Sequence, residues 1–281
     1  MSKDNALPKV AYFCMEFGLD PSFHIYAGGL GILAGDYLKA AKDYDIPIIG
    51  VGIRWRQGYT HQEIDQEGRP YDIFRDYEYD FLKDTGVKVA VSIRHHQVVC
   101  KVWKVDVFGN APLYLLDTHI PENQDSWITG QLYGRMGEER IAQEMILGIG
   151  GVRALKAMGL QPDIYHFNEG HAVLAGLELI RQYMSLGMDF NSAFSAVRSK
   201  IVFTTHTPVA AGNEAYSINQ LIYMGANNTL TREQLSRIGG SPFNMTAAAL
   251  RLSMISNAVS ELHSRTANHM WEHITDRADI I

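Results

Sequence analysis

Lys9-Val10-Ala11-Tyr12-Phe13-Cys14-Met15, Gly28-Gly29-Leu30-Gly31 and Pro47-Ile48-Ile49-Gly50-Val51-Gly52-Ile53 follow one another near the start of the chain, and together they decide the fold. The first is a short, unbroken apolar run, the pattern of a strand buried on both faces. After the glycines, apolar residues recur at 30, 33, 34, 37, 38 and 41, one face of an amphipathic helix. The third run is a second buried strand. Strand, glycine loop, helix, strand is the opening βαβ unit of a doubly wound parallel sheet.

Beyond it, residues 60–116 alternate apolar and polar positions, as in Lys88-Val-Ala-Val-Ser-Ile93 and Val98–Phe108, with turn signals at Glu67-Gly68 and Gly109-Asn110. No Pro/Gly/Ser-rich linker sets this segment apart, so it reads as a β-rich insertion in one domain spanning 1–281. The βα rhythm returns at Gly137. Ile141, Met145, Gly148, Val152 and Leu155 define a helix face. Ile164–Phe167 is a strand, Ala172–Met184 a helix, Phe190, Phe194 and Val197 another helix, and Ile201–Thr204 another strand. Met245, Ala248, Leu252, Ile255, Val259 and Leu262 predict one last long helix. The fold class is α/β, doubly wound and Rossmann-like.

With 281 residues, 46% of them hydrophobic, the chain has the composition of a globular protein with a large core. Twenty-five basic residues, scattered among 31 acidic ones, argue against a nucleic-acid partner, which would need clustered cations. Val10–Met15 is too short for a signal core or a membrane span, so a soluble, cytoplasmic protein without a membrane partner is expected. Cys14 and Cys100 read as buried hydrophobes in a reducing compartment. There is no HExxH, paired CxxC, G-x-S-x-G or P-loop. His269 and His273 read as an exposed helix end and His95-His96 as a hairpin turn, so no metal site is expected.

In open parallel sheets, ligands bind beyond the carboxyl ends of the strands. Three polar clusters fall there: Gly28-Gly29-Leu30-Gly31, Asn168-Glu169-Gly170-His171 and Thr205-His206-Thr207-Pro208. Glycine amides at a helix start suit a phosphate or a developing oxyanion, although such a loop serves equally as a tight turn. A carboxylate and an imidazole two residues apart suit a polyhydroxylated substrate or a proton relay. The alternative is that Glu169 and His171 cap a helix and His206 packs in its loop.

At this point the strings Tyr12–Leu19, Ala27–Asp36, Gly50–Tyr59, Arg140–Glu144, His166–His171 and Phe203–Pro208, with a weaker echo in Asn257–His263, resemble the amino-terminal part of α-glucan (glycogen, starch and maltodextrin) phosphorylases, most closely the short prokaryotic type. The resemblance runs from about residue 8 to residue 274. It implies the amino-terminal domain of a two-domain glycosyltransferase B-type fold with catalysis in the cleft between the halves. The implied reaction is release of α-glucose-1-phosphate from α-1,4-glucan or maltodextrin by inorganic phosphate. The implied cofactor is pyridoxal phosphate, acting through its phosphate and held by a carboxyl-terminal domain that lies outside this sequence.

Carried over by position, Gly28, Gly29 and Leu30 form the loop facing phosphate and glucosyl unit. The resemblance implies that Asn168, Glu169 and His171 line the glucosyl pocket and that His206 holds the glucose through its main chain, with Thr205 beside it. Two departures from the family pattern stand out: Gly134-Arg135-Met136, where short members have Gly-Gly-Asp, and Ala258 in place of a glycine. The expectation is that the chain acts with its carboxyl-terminal half, is inactive alone, and leaves an apolar cleft wall exposed, an invitation to homo-oligomerise. Two other readings are a non-catalytic glucan-binding or assembly module, and a nucleotide-sugar-dependent glucan synthase of the same fold.

Overall fold

The computed structural model describes residues 6–134, 136–209, 212–274 and 280–281. Arg135, at the centre of one departure from the family pattern, lies outside the described residues. The opening unit is β1 (Val10–Phe13), α1 (Gly29–Asp43) and β2 (Ile48–Ile53), with the strands parallel and Val10 opposite Ile48. The buried face of α1 is Gly31, Ala34, Gly35, Leu38 and Ala41, while Leu33 and Tyr37 face outward, contrary to the apolar spacing. Size explains the rotation. A Cβ on Gly35 would enter the Gly18 carbonyl, and one on Gly31 would lie 2.5 Å from Glu16 Oε2. The helix therefore turns its glycine edge inward, against the loop after β1. Ile32, Leu33 and Tyr37 are the exposed apolar side chains left on its outer side.

The β-rich segment holds β3 (His61–Ile64), β4 (Pro70–Ile73), β5 (Lys83–Ile93), β6 (His96–Val105) and β7 (Leu113–Asp117). β3 and β4 form an exposed hairpin closed through Gly68. β5 and β6 form a second hairpin, turned by Arg94 and His95 with φ 47° and 68°, the left-handed pair that a two-residue turn requires. β7 pairs in parallel with β2, and β6 runs antiparallel to β7, so these strands extend the central sheet.

α2 (Glu138–Met145), one π-helical turn over Ile146–Gly150 and α3 (Gly151–Ala157) form a continuous rod, with Ile141, Met145, Gly148, Val152 and Leu155 all buried. Then come β8 (Ile164–Asn168), α4 (Leu174–Ser185), α5 (Phe190–Arg198), β9 (Ile201–Thr204), β10 (Ala215–Tyr216), α6 (Ile218–Met224), α7 (Arg232–Gly239), β11 (Phe243–Asn244), α8 (Met245–Leu252), β12 (Ile255–Asn257) and α9 (Glu261–Trp271).

The last segment corrects the expectation of one long helix. α8 stops at Leu252, Ser253 is extended (φ −93°, ψ 146°), and Ile255–Asn257 pairs in parallel with β9. α9 begins only after Ser260, whose side chain accepts the His263 N–H. The Ser253 and Ser260 side chains bond backbone groups, the Leu250 carbonyl and the His263 N–H, and break the helical register that the apolar spacing mimics.

The main sheet has the order β12-β9-β8-β1-β2-β7-β6-β5, with the six strands from β12 to β7 parallel. The chain leaves β1 toward β2 on one side and returns through β8 on the other. This reversal between β1 and β8 makes the sheet doubly wound and Rossmann-like. Phe13, Phe167, Phe203, Leu38 and Trp55 fill the core, and the Trp55 indole donates to the Met15 carbonyl at 2.8 Å. Cys14 and Cys100 are buried and unpaired, and burial pushes both thiols up from their ordinary value. No helix among the described residues is long and apolar enough to cross a membrane.

Candidate active site

A cavity of about 210 Å³ opens beyond the carboxyl ends of β1, β8 and β9, at the switch point. Leu30, Tyr133, Glu169, His171, His206, Thr207 and Glu214 are among its walls. A larger cavity, of about 430 Å³, lies at the opposite edge, where β1, β2 and β7 begin, away from all three polar clusters. The smaller one has the chemistry.

Glu169 ties two strand ends together. Its backbone sits at φ 67°, ψ 171°, a conformation that side-chain-bearing residues hold only under constraint and that costs on the order of 1–3 kcal/mol. The constraint is visible. Its N–H donates to the Thr204 carbonyl at 2.9 Å, Oε1 accepts from the Gly170 amide at 3.2 Å, and Oε2 accepts from the His206 amide at 2.7 Å and the Thr207 hydroxyl at 3.1 Å. The carboxylate thus fixes the loop after β9 against the loop after β8.

A second carboxylate organises the glycine loop from within. Glu16, buried after β1, accepts the Ala27 amide at 2.6 Å and the Gly28 amide at 3.2 Å on Oε2, and the Tyr133 hydroxyl at 2.6 Å on Oε1. Two of the loop's amides are therefore already committed. Those of Gly29 and Leu30, at the start of α1, have no acceptor among the described residues and remain for a ligand oxygen.

His171 stands over the ring of Tyr133, with centroids 5.6 Å apart, and the Arg140 guanidinium lies 4.9 Å from the same ring. Arg140 also donates to Glu214 at 2.7 Å, and the Tyr216 hydroxyl donates to the other Glu214 oxygen at 3.0 Å. Tyr133, like Glu169, has a positive φ, 56°. Burial disfavours the imidazolium form and lowers the pKa of His171 and of His206, only partly offset by nearby carboxylates. Both rings are thus neutral near pH 7. His171 Nδ1 and His206 Nε2 are buried with no hydrogen-bond partner among the described residues, each able to donate or accept according to tautomer.

Of the residues singled out from sequence, Leu30, Glu169, His171 and His206 line the cavity, and Gly28 and Gly29 sit at its helix-start edge. Asn168 and Thr205 lie beneath it, fully buried. The Asn168 amide donates to Cys14 Sγ at 3.2 Å, and the Thr205 N–H donates to the Asn257 carbonyl at 3.0 Å. Sequence reasoning missed Glu16, Tyr133, Arg140 and Glu214. Glu16 carried a signal, a lone charge inside the apolar run 10–19, and so did Arg140, a cation on the core-facing side of its helix. Glu214 carried none. Among the described residues, no group of three or more His, Cys, Asp or Glu stands ready to hold a metal ion.

No family model matches the chain. It is 39% identical to the maltodextrin phosphorylase of Thermococcus litoralis, over 94% of this chain and 34% of that protein. It is 37% identical to the glycogen phosphorylase of Mycobacterium tuberculosis, over 96% and 35%. An uncharacterised protein of Methanocaldococcus jannaschii is 41% identical, over 96% and 51%. The chain spans between about a third and a half of the length of these curated relatives. Over nearly all of its own length, then, this chain is related to the α-glucan phosphorylases and corresponds to a part of them.

Proposed function

We propose that this chain supplies one wall of an α-glucan phosphorylase active site, and that its cavity receives the terminal glucosyl unit of an α-1,4-glucan. The observation that carries the reading is the strained Glu169 clamp, which sets two neutral imidazoles with unpartnered nitrogens at the switch point. Neutral donor–acceptor groups suit sugar hydroxyls, and strain concentrated in one loop residue is characteristic of a functional site. The volume suits one small polar ring rather than a long chain. With its carboxylate already taking three hydrogen bonds, Glu169 acts by positioning the loops rather than by moving a proton.

Phosphate asks for more than this wall offers. No lysine or arginine is among the described residues lining the cavity, so the open amides of Gly29 and Leu30 are its anion-accepting groups. The same observation bears on pyridoxal phosphate: no described lining residue offers an amine to its aldehyde, and the cavity does not fit that cofactor. In this reading the cofactor and the phosphate-binding cations come from a further part of the protein, such as the relatives' greater length provides.

Release of glucose-1-phosphate from maltodextrin and phosphate, assayed for this chain alone and for the longest natural reading frame containing it, tests the proposal. Release only from the longer protein is expected. Release by the chain alone would overturn the one-wall reading, and release by neither would overturn the phosphorylase reading.

A further inference from the structure

Beneath the cavity wall two carboxyl groups meet. Glu144 projects from the core side of α2 and is completely buried, while Glu214, just before β10, faces the cavity. The two are within hydrogen-bond reach of each other. Glu214 is well served by Arg140 and Tyr216. Glu144 is not: neither of its oxygens makes a hydrogen bond of good geometry among the described residues, and the nearby Tyr216 hydroxyl, already bonded to Glu214, only works against the effect of burial. One guanidinium cannot neutralise two adjacent carboxylates when one is fully buried and the other mostly so, and one of them must keep its proton.

Glu178 shows the opposite solution in the same molecule. It is equally buried, but Arg153, Arg181, Gln182 and Asn228 all donate to it at 2.5–3.0 Å. Those bonds outweigh the cost of burial and hold its carboxyl down to about 2.

We propose that Glu144 is a neutral carboxylic acid whose O–H donates to the Glu214 carboxylate, and that it is a positioning residue, fixing Glu214 against His171 on the cavity wall. The charged and titratable groups facing the pair are Arg140 on α2, Tyr133 in the loop before it, Glu16 after β1, Glu169 and His171 after β8, His206 after β9 and Tyr216 on β10. Burial, then the adjacent Glu214 charge, push the Glu144 carboxyl far above the usual range. For Glu214 burial acts in the same direction, but the bond from Glu144 and the nearby His171 and Arg140 overcome it and hold that group below its ordinary value. The proton between these two carboxyls stays whichever ligand the cavity takes.

Infrared spectroscopy of the full chain at pH 7 tests it. The expected spectrum contains the carbonyl band of a protonated carboxylic acid, lost in Glu144→Gln and kept in Glu138→Gln on the exposed side of the same helix. Absence of the band, or its survival in Glu144→Gln, overturns the proposal. Should Glu144→Gln fail to fold, the wild type decides: the band is present when folded and vanishes on unfolding at pH 7. The imidazole NMR titration of His171 separates the partners. Glu214→Gln lowers its midpoint by removing the neighbouring anion, and Glu144→Gln leaves it in place. A drop in Glu144→Gln as large as in Glu214→Gln would make Glu144 the anion and overturn the assignment.

Discussion

The Glu169 carboxylate accepts the backbone N–H of His206 at 2.7 Å, so a side chain from the end of β8 holds the main chain leaving β9. Neither loop has its shape alone: Glu169 is held at φ 67° by these bonds, and the same carboxylate fixes the His206 backbone at the cavity wall. Three strand ends gather here because the sheet reverses direction between β1 and β8.

Removing the clamp has a signed cost. Glu169→Ala leaves the buried His206 amide without its acceptor and keeps a Cβ in a strained conformation. We expect a loss of about 2–3 kcal/mol in denaturant unfolding. Glu169→Gly loses the same bonds but relieves the strain, and should be no less stable than the alanine variant. A glycine variant clearly less stable than alanine would refute the strain.

The glycine loop gives a contrast within three residues. A Cβ on Gly31 would meet Glu16 and Tyr26 at 2.5–2.6 Å, whereas one on Gly29 meets nothing within 4 Å. Gly31→Ala should cost about 1–3 kcal/mol by overpacking, and Gly29→Ala should be neutral or slightly stabilising. Thermal or chemical unfolding of the two variants checks this, and equal effects would contradict it.

Stability should fall on acidification through His166. Its Nε2 lies 2.7 Å from the Thr204 hydroxyl, which gives its own proton to Asn257. Burial lowers its pKa from 6.5 to about 4, with His206 adding to the shift. The folded pKa is depressed, so the contribution is fully present above pH 6.5 and is lost as pH falls toward 4, in total about 3 kcal/mol. Between pH 6.5 and 4.5 His166→Gln should unfold with a pH slope shallower by up to one proton. An unchanged slope would count against the assignment.

Glu178 anchors the side of the sheet away from the cavity. Its partner Arg153 also donates to the Ala90 carbonyl at 2.8 Å, tying α4 through α3 to the edge strand β5. Glu178→Ala should cost about 3 kcal/mol, at the lower end for a broken buried pair because both arginines keep some contact with water. Denaturant midpoints with an unchanged slope would measure it, and a change under 1 kcal/mol would contradict it.

Much of this was written in short-range pattern. β1, α1, β2, β8 and β9 follow from apolar runs and glycines, and the three polar clusters follow from where those runs end. What escaped is what depends on tertiary contact. The inward face of α1 was set by Gly31 and Gly35 fitting against Glu16 and Gly18, which apolar spacing does not register. β12 was hidden in a helical period because its strand character comes from pairing with β9. Glu16 and Tyr133 are 117 positions apart and meet only through the fold, so the internal anion of the glycine loop was not legible. Glu214 is recognisable only beside Arg140 and Glu144.

In the proposed function the cavity at the β1/β8 switch point receives a sugar. The most direct measurement is the imidazole NMR spectrum of the chain titrated with maltodextrin. Saturable shifts of His171 and His206, which line the cavity, are expected, with His95 in the β5–β6 turn and His269 on α9 unmoved. Silence of His171 and His206 up to tens of millimolar sugar, on the order of the weakest specific affinities, would contradict it, as would shifts confined to the distant histidines.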